Sequence, residues 1–178
     1  MVLTTTPQTQ LGKSLPDFSL IGTDDKIYTP KNFAADVLVI VFTCNHCPYA
    51  QAVWPRLIQL AKNTQNVDFA AINANDAVQH PDDSFENMQA KVQEWGIPFA
   101  YLHDETQGVA KTFGAVCTPD IFVFDKNRTL AYRGRFDDNW KDEQAVTRHE
   151  LADAIEQIKQ GKVPANQQPS MGCNIKWR

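Results

Sequence analysis

Two cysteines three positions apart, Cys44 and Cys47, stand in the run Thr43-Cys44-Asn45-His46-Cys47-Pro48. Thiols at that spacing can close a small disulfide ring. A helix N-terminus beside them stabilises a thiolate through its unpaired N–H groups and its dipole. The spacing therefore points to redox chemistry. Cys44 is expected at or just before the first helical turn, its pKa drawn from about 8.5 into the roughly 3.5–7.5 range of such motifs. That makes Cys44 the expected nucleophile, and His46 can carry a positive charge that reinforces the effect. Cys47, a turn further in, is expected to be more buried, higher in pKa and the resolving thiol. Pro48 suits a first turn, where N–H groups lack intrahelical partners.

The elements around the motif give it a position. Residues 37–42, Val-Leu-Val-Ile-Val-Phe, read as a central strand covered on both faces. Apolar residues Val53, Leu57, Leu60 and Ala61 recur at helical spacing between residues 45 and 63, with Pro55 expected to kink that helix. Residues 67–72 read as a second strand, 82–95 as a helix stopped by Gly96, 97–102 as a strand, and 104–114 as a helix. Two strands, 120–124 and 130–133, flank the Lys126-Asn127-Arg128 turn, and a last helix is expected over 144–159. Residues 16–28 suggest a short hairpin around Gly22-Thr23-Asp24-Asp25. The pattern predicts an α/β fold with a sheet covered on both faces, and working sites in such sheets lie at the strands' carboxyl ends. Cys44 follows the first central strand at that end.

Composition narrows the classes. At 178 residues the chain suits one domain with a real core, and its apolar fraction of 43 % is ordinary for a globular protein. Residues 1–14 are expected as a flexible arm, 15–161 as the domain, and 162–178 as a tail without clear periodicity. A net charge of −4 gives no electrostatic footprint for nucleic acid or an anionic membrane. No segment approaches the roughly 18 apolar residues of a membrane helix. The first residues have neither a basic region nor an apolar core, so a cytoplasmic setting is expected. Four cysteines in that setting read as catalytic, redox-cycling or metal-binding rather than as a disulfide scaffold.

A second clue is Cys117-Thr118-Pro119, placed before the apolar strand at 120–124. A proline there is often cis, because X-Pro alone makes that bend at low cost. With it, the chain resembles the thioredoxin-like redoxin superfamily over about residues 16–159. The closer likeness is to thioredoxin-domain proteins related to alkyl hydroperoxide reductase/thiol-specific antioxidant, which carry Cys-Asn-His-Cys-Pro and a Gly-Cys-Asn-Ile-Lys-Trp tail. Both stand here, the tail at residues 172–177. The resemblance implies a thioredoxin-like fold: a central mixed sheet, helices on both faces and an N-terminal β-hairpin extension. It also implies that Thr118 and Pro119 face the dithiol and bind a substrate chain as an added strand, with Thr43 beside them.

Departures from the family patterns separate the readings. Peroxiredoxins place a Thr three residues before the peroxidatic Cys; here Thr43 is four before Cys47, position 39 is Val, and the position of their Arg is Pro119. Thioredoxins bury an acid six residues before the first Cys, which is Leu38 here, and membrane-anchored relatives place a Glu at what is Ala50. Asp76 and His46 remain as candidates to move a proton. Cys117 is expected within about 10 Å of the dithiol from chain reach. It could resolve a mixed disulfide, complete a metal site with Cys44, His46 and Cys47, or fill a tight loop. Cys173 reads as a resolving or regulatory thiol or an exposed one. His80, His103 and His149 read as loop residues, residues 133–138 as a solvated charged loop, and Trp54, Trp95 and Trp140 as packing.

The reading is a thiol-disulfide oxidoreductase, monomeric or a weak dimer, without cofactor or assigned metal. Its expected partners are protein or small-molecule disulfides and dithiols and a reductase. A peroxiredoxin-like thiol peroxidase and a copper- or zinc-binding protein of the same fold are the alternatives.

Overall fold

All six residues of the strand Val37–Phe42 are buried, and their alternation decides the layers. Val37, Val39 and Val41 face a core with Val53, Trp54, Leu57, Met88, Leu151 and Ile155. Leu38, Ile40 and Phe42 face the opposite core with Phe18, Phe33, Ala110, Phe113 and Phe122. Each such side chain taken out of water contributes about 1.5–3 kcal/mol. A strand loaded on both faces has to sit in the middle of a covered sheet.

The computed structural model describes residues 3–7 and 11–178. In chain order the elements begin with Leu3–Thr5 (β1), Leu20–Gly22 (β2), Ile27–Tyr28 (β3) and Val37–Phe42 (β4). Pro48–Asn63 (α1), Val67–Asn73 (β5), Phe85–Trp95 (α2), Ala100–His103 (β6) and Gly108–Phe113 (α3) follow. Cys117–Thr118 (β7), Asp120–Phe124 (β8), Leu130–Gly134 (β9), Glu150–Lys159 (α4) and Met171–Asn174 (β10) complete the chain. The main sheet has the order β3-β2-β6-β5-β4-β8-β9. β4, β5 and β6 run parallel; the remaining pairs are antiparallel. α1, α2 and α4 cover one face, while α3 and the N-terminal segment cover the other. This is the thioredoxin-like mixed sheet with its N-terminal hairpin, β2 and β3.

Local chemistry sets several boundaries. Ser84 caps α2 by accepting from the Asn87 N–H at 3.3 Å, and Gly96 closes it at φ 62°, in the left-handed region glycine tolerates. Asp125 Oδ1 accepts from the N–H groups of Asn127 and Thr129, both at 2.9 Å, and so fixes the turn between β8 and β9.

Both chain ends differ from expectation. A second sheet, β1-β10-β7, joins the expected arm and the expected tail to the loop before Pro119. Leu3 pairs with Cys173, and Cys173 with Thr118. The arm expected over residues 1–14 is thus partly a strand; residues 1, 2 and 8–10 of it lie outside the described residues. The tail holds buried Ser170, Gly172, Cys173 and Ile175. Short strands in small polar sequences carry no periodicity to read, because backbone pairing rather than an apolar face holds them. Arg133, expected where the strand passes into a solvated loop, lies in β9 as the strand pattern predicts, but is buried against Asp120, with Nη2 donating to Oδ2 at 2.7 Å. The first helix begins at Pro48 rather than near residue 45, and Pro55 lies inside it without ending it. The last helix begins at Glu150, after a separate 3₁₀ turn at Glu143–Ala145.

Candidate active site

β4 ends with the Thr43 N–H donating to the Ile72 carbonyl at 2.9 Å, and the chain then leaves the sheet. Cys44, Asn45 and His46 form a loop before α1, whose N-cap is Cys47. The expected placement is thereby corrected: Cys47, not Cys44, sits at the helix end, where the dipole and unpaired N–H groups act. The cause is local. Pro48 takes the first helical position that its fixed φ suits, so helix cannot start earlier.

A polar cage holds the loop. The buried Asp83 carboxylate accepts from the Asn45 N–H at 2.7 Å and from Asn75 Nδ2 at 2.7 Å, and lies 2.6 Å from His46 Nδ1. Asn45 Nδ2 donates to the Asp82 carbonyl at 2.8 Å, and the Tyr101 hydroxyl donates to Asn45 Oδ1 at 2.9 Å. Gln51 Nε2 donates to the Asn45 carbonyl at 2.7 Å, and Trp54 Nε1 to the Cys44 carbonyl at 3.3 Å. The His80 ring stacks on His46 with centroids 5.1 Å apart.

Across from the loop lies Thr118-Pro119, joined by a cis peptide bond. Thr118 Oγ1 is 3.4 Å from Cys44 Sγ, and the Thr118 carbonyl is 3.2 Å from Cys47 Sγ. The dithiol and the proline loop therefore meet directly. Behind Thr118, β10 places Cys173 in register with it. Cys44, Cys47, Ala50 and Cys173 pack into one small buried cluster.

The two thiols of the motif are driven apart. Hydrogen bonding from Cys44 lowers the Cys47 pKa most; burial opposes this, while Cys173, Thr118 and the Ala50 backbone add to the lowering, and the result is about 4. The Thr118 carbonyl pulls the other way, since it accepts only from a protonated sulfur. Several donors outweigh one acceptor, so the Cys47 thiol is held below its usual range. Cys44 goes up, through burial first and then through donating to Cys47 and facing the Asp83 charge. The two thiols are thus displaced in opposite directions, Cys47 down and Cys44 up, the reverse of the expected order. His46 is raised by its hydrogen bond to Asp83, against the effect of burial. Burial alone would raise Asp83, but bonds from His46, Asn75 and the Asn45 N–H hold it below the usual carboxylate range. The Asp83 carboxylate thus favours the charged form of His46, and His46 the charged form of Asp83.

Cys44, His46, Cys47, Thr118 and Pro119 come together; Thr43 is buried beside them at the end of β4. Cys117 turns into its own loop, its thiol donating to the Pro119 carbonyl at 3.5 Å, and burial raises its pKa. Asp76 does not join the dithiol: its N–H donates to the Lys176 carbonyl, and Oδ1 lies 3.4 Å from Arg178 Nε. The carboxylate that the fold does bring to the motif is Asp83, which the sequence places at a helix start. An Asp-Asp-Ser run at the start of a helix gives the same pattern whether or not one carboxylate turns inward. His80, read as a loop residue, stacks on the cage. Trp140, read as packing, meets Tyr49 with ring centroids 4.0 Å apart. Ligand atoms of Cys44, His46 and Asp83 lie within 4.8 Å of one another and could approach a metal ion. Both Asp83 oxygens already accept hydrogen bonds, which favours an anchoring role.

The family model described as AhpC/TSA family matches residues 11–133. An uncharacterized conserved protein from Geobacillus kaustophilus superposes with a TM-score of 0.95 at 40% identity, over 100% of this chain and 97% of that one. A hypothetical protein from Sinorhizobium meliloti 1021 gives a TM-score of 0.94 at 37% identity, over 98% of each chain. A peroxidoxin, BcpB, from Mycobacterium tuberculosis shares the fold at 18% identity, with a TM-score of 0.58 over 70% of this chain and 84% of that one. A search of curated proteins gave no match.

Proposed function

We propose, from the premise that this chain belongs to the AhpC/TSA family of thiol-based redox proteins, that it is a thiol-disulfide oxidoreductase cycling Cys44 and Cys47. The observation that carries the reading is the dithiol at the α1 N-terminus, held against the cis Thr118-Pro119 loop. The Cys47 thiolate attacks one sulfur of a substrate disulfide; that S–S bond breaks and the first thiolate leaves. His46, its pKa raised by Asp83 and its ring near Cys44, can supply the proton to a leaving sulfur when it is protonated. The Cys44 thiol then loses its proton and attacks Cys47 Sγ, forming Cys44–Cys47 and releasing the second thiol. One substrate disulfide is reduced to two thiols while two protein thiols are oxidised. A dithiol reductase resets the pair, or the cycle runs backwards where the redox poise favours substrate oxidation.

Peroxide reduction is the less favoured reading. Cys44 stands where a peroxiredoxin has its Thr, and Arg133 is held by Asp120 and by the Gly114 carbonyl at 2.7 Å. The test is turnover of a small disulfide by the wild type, Cys44→Ser and Cys47→Ser. Cys47→Ser should lose at least about 1000-fold, as expected for a deleted nucleophile, and Cys44→Ser should still form the mixed disulfide on Cys47 but never the Cys44–Cys47 bond. Hydrogen peroxide consumption at about 10⁴ M⁻¹s⁻¹ or faster, in the range of efficient enzymes, with negligible disulfide exchange would replace this reading with the peroxidase.

A further inference from the structure

The strand edge beside the dithiol is already filled by the chain's own tail. β7 is two residues long, and its neighbour is β10, antiparallel, with Cys173 opposite Thr118 and Asn174 opposite Cys117. An extended peptide binds a strand edge in this way, through main-chain pairing that presents alternate side chains to the site. The fit is close: a Cβ on Gly172 would lie 2.1 Å from the Thr118 carbonyl oxygen and 2.7 Å from its carbon. Both are backbone atoms next to the cis bond and cannot turn aside. Outside β10, β1 adds a third strand, and the Thr6 N–H donates to the Ser170 carbonyl at 3.0 Å. The tail is built in, and it delivers a thiol to the cluster formed by Cys44, Cys47 and Ala50.

We propose that β10 is an internal substrate strand, and that Cys173 is a third redox thiol that forms a disulfide with Cys47. The inference deepens the dithiol reading and rests on it. It also names the external substrate class: low-molecular-weight disulfides, small enough to reach the fully buried Cys47 through a local opening of the edge sheet. In the first step the Cys47 thiolate attacks R–S–S–R, giving Cys47–S–S–R and RS⁻. In the second, the Cys173 thiol loses its proton and attacks Cys47 Sγ; the Cys47–SR bond breaks and RS⁻ leaves, taking up that proton. A Cys47–Cys173 disulfide remains, and two protein thiols have been oxidised for one R–S–S–R reduced. Attack of Cys44 on Cys47 Sγ then moves the bond to Cys44–Cys47 and returns Cys173 as a thiol.

The electrostatics time the step. Cys173 is pushed up to about 12, by burial first and then by its hydrogen bond to the Cys47 thiolate and by that charge. While Cys47 is charged, Cys173 stays protonated and donates to it. Once Cys47 is in a mixed disulfide, both Cys47 contributions vanish and Cys173 becomes easier to ionise than before, as does Cys44. Its attack is intramolecular, on a strand that holds it in place.

The test uses full-length protein and one equivalent of dithiodipyridine, whose released thiopyridone is counted by absorbance. Each probe molecule gives one thiopyridone on forming the mixed disulfide and a second on resolution. Wild type should give two, with Cys44–Cys47 found by peptide mapping. Cys44→Ser should also give two, with Cys47–Cys173 mapped; Cys44→Ser/Cys173→Ser should stop at one. Cys44→Ser/Gly172→Ala keeps Cys173 but loses its seat, so its second release should slow at least about tenfold through lost effective concentration. Cys44→Ala is the second variant should the serine fail to fold. A Cys44 variant that stalls at one while wild type gives two, or maps its bond to Cys117, overturns the inference and leaves the dithiol cycle standing. A wild type that stalls at one overturns the dithiol cycle itself.

Discussion

Cys47 lies between two regions built by different means. On one side is the cage of Asn45, His46, Asn75, Asp83 and Tyr101, held by side-chain hydrogen bonds around a buried carboxylate. On the other is the β1-β10-β7 sheet, held mostly by backbone pairing. Each region supplies a thiol to the same sulfur, Cys44 from the cage side and Cys173 from the strand side. The difference teaches how each can change. A buried cage fails as a unit, because one lost partner leaves several polar groups unpaired. A three-stranded edge sheet can open without unfolding the core, since local stability varies across a molecule. The cage therefore fixes the dithiol, while the strand can govern access to it.

The largest effect expected is on the cage. Asp83→Ala leaves the Asn45 N–H, Asn75 Nδ2 and His46 without their acceptor in a buried site. Each stranded group costs about 1–3 kcal/mol, and breaking a buried ion pair costs about 3–5 kcal/mol. Urea unfolding should show a loss of at least about 3 kcal/mol at pH 7, in line with those costs. A loss under about 1 kcal/mol would mean the cage does not act as a unit. Gly172→Ala should cost less, about 1–3 kcal/mol as for other overpacked sites, because β10 can move off as a piece. Its clearer signature is exposure of the dithiol. Alkylation of Cys47 by iodoacetamide should speed up at least about tenfold, the scale of one local opening step of about 1.4 kcal/mol. Unchanged alkylation would show that the strand does not cover the sulfur.

The same contrast separates what the sequence revealed from what it hid. β4 was legible because six consecutive apolar residues admit only a strand covered on both faces. The turn at residues 125–129 and the Thr118-Pro119 loop were legible because aspartate and proline impose local geometry. The dithiol itself was visible from spacing, but the order of its pKa values was not. That order depends on where helix begins, and a shift of three residues moves the favoured anion from Cys44 to Cys47. Asp83 was hidden because 37 residues separate it from its partner His46. β10 was hidden because Met-Gly-Cys-Asn has no alternation to read; its evidence is a glycine whose need arises only against Thr118.

The smallest effect expected concerns charge within the cage, and it tests whether His46 acts as a cation there. His46 faces Asp83 and Cys47, which favour its charge, and Lys176, which opposes it, with the His80 ring stacked alongside. The net result is a folded pKa above the ordinary value of 6.5. A group raised on folding binds its proton more tightly in the native state, so it stabilises most where both states are protonated. The contribution of His46 is therefore complete below about pH 6.5, the unfolded value, and is lost as pH rises through the folded value. His46→Gln keeps a side-chain donor for Asp83 and removes the charge. The difference in unfolding free energy between wild type and His46→Gln should be on the order of 1 kcal/mol at pH 6, the size of a hydrogen bond's charge component. It should shrink as pH is raised from 6 towards 9. A difference that stays constant across that range would make His46 a neutral hydrogen-bond partner and would remove it as a proton source for the leaving thiolate.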